Sequence, residues 1–269
     1  MPDHLCRGAE IDYLEIPVAL GCNLKCRACS HFSNLAPTDL LADLAVFERD
    51  LRRLRELLPV IHMIRLLGGE PLLHPELEQF LRTARSCYPD ADIRIVTNGL
   101  LLPKAPEALL SAVKALDAGI DLSLYPPTAH MRDQIDALLN DKGIRHRYTP
   151  PILEFRRRMN LAGQGDIERN FRTCVVGNQC HYLYNGKLSA CPAPSVISIF
   201  NECYGTEIDG SADLLDLYDP ALTGEAAAAF LRRPLDMCRF CAEPELLRWE
   251  SGREPQISDW LVNGGKAEN

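Results

Sequence analysis

A chain of 269 residues has room for one large α/β domain, or for a core domain with a small appendage. Its net charge of −8 argues against a nucleic-acid binder, which presents a basic field, and no apolar run is long enough to span a membrane. The first ten residues are polar and lack the apolar centre of a signal peptide, so the expected location is the cytoplasm, where 11 cysteines suggest metal or redox chemistry rather than disulfides.

Tyr13 to Leu20 reads as a strand that leads straight into Cys22, Cys26 and Cys29. A tight loop can turn three such close thiolates toward one point. Iron–sulfur clusters usually take four thiolates, so three leave one iron open to a ligand. The other reading is a structural zinc, which wants four ligands and could take His31 as the fourth. Leu44, Phe47, Leu51, Leu54 and Leu58 repeat at spacings of three and four, which predicts an amphipathic helix ended by Pro59.

Ile61 to Leu67 is the next predicted strand, followed by Gly68, Gly69, Glu70 and Pro71. The two glycines would let the backbone approach a ligand closely, and Glu70 offers an acceptor for an ammonium. Without the cysteines the same residues would read as a plain turn. Pro75 suits the first turn of a helix, and Leu77, Phe80, Leu81, Ala84 and Cys87 share one face of it, which makes Cys87 a packing residue. A strand over Ile93 to Thr97 closes on Asn98 and Gly99. A helix around Ala105 to Leu116, a strand around Ile120 to Leu124, a helix from Thr128 to Leu139 and a strand from Ile144 to Tyr148 complete the series. This alternation predicts a parallel sheet with crossover helices, whose ligands sit at the C-terminal strand ends. The cysteine loop, the Gly-Gly-Glu-Pro turn, Asn98 and Ser123 all fall there.

Beyond Arg158 the pattern changes. Arg156, Arg157 and Arg158 read as a solvated surface or a helix end. Tyr182–Tyr184 and Lys187–Ser189 read as a hairpin turned by Asn185 and Gly186, and Ala226 to Ala229 suits a helix. A boundary near residue 160 divides the chain into segments 1–160 and 161–269. The second segment holds Cys174, Cys180, Cys191, Cys238 and Cys241, which could also bind a structural zinc, while Cys6, Cys87 and Cys203 stand apart.

The Cys-x3-Cys-x2-Cys spacing after a first strand, with Gly-Gly-Glu-Pro after the second, resembles the radical S-adenosylmethionine (SAM) superfamily. The resemblance implies a partial (β/α)6 TIM-like barrel with a small C-terminal cysteine-rich domain. It implies a 4Fe–4S cluster on Cys22, Cys26 and Cys29 whose open iron chelates SAM. Reductive cleavage of SAM then gives a 5′-deoxyadenosyl radical, which takes a hydrogen atom from the substrate. Gly68, Gly69, Glu70 and Pro71 would contact the amino group of SAM. Asn98 and Ser123 fall where family members contact its ribose or methionine parts, with turn formation as their plainer role. One departure is Ala28, where the family often has an aromatic residue.

Cys174-x11-Gly186-x4-Cys191 and Cys238-x2-Cys241 resemble a shortened SPASM, or twitch, domain. That implies a second 4Fe–4S cluster, fully ligated by Cys174, Cys191, Cys238 and Cys241 and suited to electron transfer. Cys180 is then spare: an alternative ligand, a hydrogen-atom donor or a packing residue. A substrate radical that loses an electron to such a cluster becomes a ketone if it started as an alcohol. Size and one-cluster layout are similar to the 2-deoxy-scyllo-inosamine dehydrogenases of aminocyclitol antibiotic biosynthesis. The expected substrate is therefore a small carbohydrate or cyclitol, and the expected reductant a flavodoxin or ferredoxin. Arg147, with His146 and Tyr148 at a strand end, joins Cys180 as a candidate catalytic residue. Three alternatives stand beside this one. Epimerisation would use Cys180 or Cys203 as donor. Peptide maturation would call for a recognition domain where only 21 residues precede Cys22. A non-catalytic module would hold zinc.

Overall fold

The structure is a computed structural model that describes residues 9–174 and 180–262. Strand β1 (Glu10–Ala19) buries Leu14, Ile16 and Val18 on one face and leaves Tyr13 and Glu15 on the other. Helix α1 (Leu44–Leu57) is capped by Asp43, whose carboxylate accepts the Val46 N–H at 2.9 Å, and buries Phe47, Leu51, Leu54 and Leu57. Strand β2 (Val60–Gly68), helix α2 (Leu77–Cys87), strand β3 (Asp92–Thr97), helix α3 (Glu107–Ala115) and strand β4 (Gly119–Leu122) follow where the hydrophobic period places them. The helix expected over 128–139 starts earlier, on two prolines, and is broken at Met131. It forms α4 (Pro126–His130) and α5 (Arg132–Asp141), with Met131 at φ −100° and ψ 3°. Strand β5 (Arg145–Tyr148) ends the series.

Strands β1 to β5 are all parallel and lie in the order β5-β4-β3-β2-β1, the open half of a barrel. The remaining elements are β6 (Glu154–Met159), α6 (Ile167–Thr173), β7 (Tyr182–Tyr184), β8 (Lys187–Ser189), α7 (Ala193–Tyr204), β9 (Leu215–Asp216), α8 (Gly224–Phe230) and β10 (Cys241–Arg248). β7 continues the main sheet beside β1, in parallel, through the pair Glu15 and Tyr182, and β8 and β9 extend it antiparallel to eight strands. Asn185 and Gly186 turn the hairpin with φ of 48° and 72°, the left-handed pair that a two-residue turn requires.

The expected boundary at residue 160 separates nothing cleanly. β6, before it, pairs antiparallel with β10, after it, and β1 pairs with β7. The C-terminal part is woven into both sheets rather than appended. Arg156, Arg157 and Arg158 lie on β6, not at a helix end. Among the described residues no helix is long and apolar enough to cross a membrane.

Asp50 joins α1 to the β7–β8 hairpin and to Tyr218 after β9. Its side chain lies buried on α1 and accepts the Gly186 N–H at 2.5 Å and the Tyr218 hydroxyl at 2.6 Å. Asp50→Ala leaves the buried Gly186 N–H unmet while the exposed Tyr218 hydroxyl can turn to water, and urea unfolding should show a loss of about 2 kcal/mol.

Candidate active site

The loop after β1 is shaped by residues that are not glycine. Lys25, Ala28 and Phe32 all take left-handed backbone, with φ of 49°, 55° and 55°. This curls the chain so that Cys22, Cys26 and Cys29 line one cavity of about 300 Å³. Each sulfur faces a donor. The Leu24 N–H points at Cys22 at 3.4 Å, the Trp249 indole N–H at Cys26 at 3.3 Å, and backbone N–H groups of His31, Ser33 and Asn34 at Cys29. Burial pushes all three thiols up, Cys22 to about 11. A cationic cluster removes that penalty by binding the thiolates, and N–H donors to sulfur are what tune such a cluster. The three cysteines therefore fit an iron–sulfur cluster. Among the described residues no group of three or more His, Cys, Asp or Glu side chains converges as for a single metal ion.

The loop is held from outside by the C-terminal segment. Arg27 pairs with buried Asp259 at 2.8 Å, the Arg27 N–H reaches the Glu250 carbonyl at 2.8 Å, and the Trp260 indole reaches the Cys29 carbonyl at 2.9 Å.

Gly68 and Gly69 line the cavity opposite the cysteines. A Cβ on Gly68 would sit 1.9 Å from the Ala19 carbonyl oxygen, and one on Gly69 would sit 2.0 Å from that of Gly21. No other residue fits this approach of β2 to the cysteine loop. Glu70 and Pro71 do not line the cavity. The Glu70 carboxylate is fully buried and accepts the Thr97 hydroxyl at 2.6 Å, the Asn98 N–H at 2.8 Å and the Leu72 N–H at 3.0 Å. The side chain thus bolts the turn to the end of β3 instead of offering a free oxygen to an ammonium.

Asn98 and Ser123 reach the same cavity. The Asn98 amide donates to Asn23 Oδ1 at 2.8 Å and lies 3.7 Å from the Cys22 sulfur. Tyr125, stacked on Trp249 at 5.6 Å, and Phe155 supply aromatic wall that Ala28 does not. Glu15, Arg65 and Asn34 also line it, and none of them carries a motif that could single it out in the sequence. The Cys180 thiol hydrogen-bonds to Glu15 and so stands behind the cavity floor. Arg147 is not brought to this cavity. It forks onto Asp121 at 2.7 and 2.8 Å, while His146 and Tyr148 bind Asp136.

The second cysteine group also converges. Cys174, Cys191 and Cys241 line a cavity of about 110 Å³, and Cys238 interacts electrostatically with Cys174, Cys191 and Cys241. Burial lifts Cys191, Cys238 and Cys241, the last two to about 11 and about 12. Arg158 donates to the Cys174 sulfur at 3.0 Å and Arg157 pairs with Glu245 at 2.6 Å, so two of the three arginines face inward contacts rather than water. Four thiols beside an arginine fit a fully ligated cluster. Cys203 is exposed on α7, and Cys6 lies outside the described residues.

Comparison with known proteins converges on the same core. Residues 16–137 match the radical SAM superfamily. The chain is 34% identical over 136 residues to the GTP 3′,8-cyclase of Sulfurovum sp. (strain NBC37-1), covering 49% of this chain and 40% of that protein. It is 39% identical over 119 residues to the GTP 3′,8-cyclase of Chlorobaculum tepidum, covering 44% and 34%. The chain thus spans well under half the length of these relatives. In fold it is similar to the crystal structure of BtrN in complex with AdoMet and 2-DOIA, with a TM-score of 0.52 and 17% identity over 86% of this chain and 93% of that one.

Glu70 gives this site a measurable titration. Burial raises its carboxyl from 4.5 to about 7 against the pull of its three donors. The folded protein then keeps a proton that the unfolded chain has released, so stability falls as pH rises from 4.5 to about 7 and is flat above that. Relative to Glu70→Gln, the wild type should lose about 3 kcal/mol across this window in chemical unfolding. His31 and His181 titrate alike in both proteins, so the difference isolates Glu70.

Proposed function

We propose that the protein is a radical SAM enzyme that oxidises an alcohol carbon of a small polar molecule, a sugar or cyclitol, to a ketone, a reading supported by the match of residues 16–137 to the radical SAM superfamily. A cluster on Cys22, Cys26 and Cys29 would supply the electron that splits SAM, so that the 5′-deoxyadenosyl group takes a hydrogen atom from the substrate. Gly68 and Gly69 give SAM a backbone surface at the strand end, Asn98 and Ser123 give it polar contacts, and Tyr125 and Phe155 give its adenine a flat wall. The C-terminal clamp on the cysteine loop keeps water from the same space.

One observation carries the oxidation. Residues 28–33 form the wall between the two cysteine-lined cavities: Cys29, His31 and Ser33 border one, Ala28 and Phe32 the other, and Ser30 both. A cluster on Cys174, Cys191, Cys238 and Cys241 would stand next to the substrate, saturated by thiolates and free to accept an electron. Epimerisation, which is redox-neutral overall, makes no use of this second site as an electron acceptor, and a zinc module makes no use of the cavity between Gly68 and the cysteines.

A cyclase-type reaction on a nucleotide is the second reading, favoured by the identity to GTP 3′,8-cyclases over the core. Arg156, Arg157 and Arg158 border the second cavity, as a triphosphate would need, but Arg157 and Arg158 are engaged by Glu245 and Cys174. The fold likeness over most of both chains to BtrN, whose crystals hold AdoMet and 2-DOIA, supports the smaller substrate. Flavodoxin or ferredoxin is the proposed source of the reducing electron.

Anaerobic protein should hold about eight irons and give 5′-deoxyadenosine from SAM with dithionite. Cys26→Ala should halve the iron and abolish SAM cleavage. Cys241→Ala should keep SAM cleavage and lose the ketone product. Cleavage retained in the first variant, or full ketone formation in the second, would overturn the assignment, and consumption of GTP in place of cyclitols would decide for the cyclase reading.

A further inference from the structure

The second cysteine site carries a positive charge that the first does not. Strand β6 pairs with β10 so that Met159 lies opposite Cys241, and this brings Arg158, one residue earlier, to the wall of the cavity. Its guanidinium donates to the Cys174 sulfur at 3.0 Å, and its charge also favours the thiolates of Cys238 and Cys241. One cation thus acts on three of the four sulfurs. Among the described residues Arg158 forms no ion pair. Its neighbours do: Arg157 is held by Glu245 and Arg239 by Asp236. The opposing charge is Asp213, which acts on Cys238 while its oxygens accept the Asp236 and Met237 N–H groups. At the first site the donors to sulfur are neutral N–H groups, and Arg27 beside them is paired with Asp259.

Much of the remaining wall is apolar, with Phe32, Ile197, Met237, Phe240 and Trp260 in it. Such surroundings screen a charge poorly and penalise every negative charge added to a thiolate-bound cluster. A fully ligated cluster gains one negative charge with each electron. The apolar wall therefore lowers its reduction potential, and an arginine on its sulfurs raises it. Arginine suits this place because a guanidinium keeps its proton and is weakly hydrated.

We propose that Arg158 raises the reduction potential of the second cluster and so favours the electron-accepting step. The inference rests on the reading of Cys174, Cys191, Cys238 and Cys241 as an iron–sulfur site. In that reading the radical on the alcohol carbon gives one electron to the second site and its hydroxyl proton to water as the carbonyl forms. The second site is left with one added negative charge, which a cation on a ligand sulfur stabilises directly.

The test is an anaerobic redox titration of the reconstituted full chain, followed by electron paramagnetic resonance. The first cluster is identified by the change that SAM makes to its signal, and the second by its indifference to SAM. Arg158→Met, and Arg158→Gln, which keeps an N–H for the sulfur, should each shift the second cluster about tenfold toward its oxidised form. That is a drop of about 59 mV for one electron, and the first cluster should stay where it is. Arg158→Lys should retain part of the wild-type value. An unchanged second potential in both neutral variants overturns the proposal and leaves the second cluster in place. Equal shifts of both clusters overturn it as well, since they would report a general loosening. Loss of the second cluster from both neutral variants would make Arg158 a structural support and overturn it too. Wild-type protein with about four irons, or with zinc at the second site, would remove the underlying reading together with the proposal.

Discussion

Everything at the top of the barrel depends on how Glu70 is buried. Its carboxylate has no exposed surface and gathers donors from its own turn and from the end of β3, so the C-terminal ends of β2 and β3 are locked together. The glycines before it lock β2 to β1: the Gly69 N–H donates to the Ala19 carbonyl at 2.7 Å, and the Glu70 N–H to that of Gly21 at 3.0 Å. Three strand ends thus become one rigid platform, and the cysteine loop leaves from it at Gly21. A site that must hold three sulfurs and a substrate in fixed relation needs such a platform more than it needs one more ligand-binding oxygen.

The second constraint comes from the far end of the chain. Residues 249–260 place two indole N–H groups on the cysteine loop and bury Asp259 against Arg27 and Arg253. The loop pays for its three left-handed residues with these contacts, since strain of that kind persists only where surroundings over-determine it. Because β10, which precedes the clamp, begins at Cys241, the second cysteine site and the support of the first are parts of one segment. A change at one is positioned to be felt at the other.

The parallel core was legible in the sequence because its signal is local. Apolar period, proline stops and glycine turns each act within a few residues, and the Asn185–Gly186 hairpin needs only its two central residues to be read. The cysteine spacings were legible for the same reason. Long-range pairing was not. Nothing in Glu154–Met159 announces β10 as its partner, so the Arg156–Arg158 run looked solvated when Arg158 in fact meets a cysteine sulfur. Glu70 was legible as important but not in its role, because which atoms a carboxylate meets depends on where β3 ends.

A network of ion pairs across the strands explains why Arg147 is absent from the cavity. Asp121, buried on β4, is the shared acceptor for Arg65, Arg94 and Arg147 from the strands on either side. Arg94 is also held by Asp92, and Arg147 keeps half its side chain in water. Arg147 therefore closes the network at the open edge of the sheet, where β5 has no further strand beyond it. Arg65, drawn into that network two residues nearer the strand ends, forms no ion pair with Glu15, its neighbour on β1. One buried carboxylate thus ties side chains from four neighbouring strands into a single network of ion pairs.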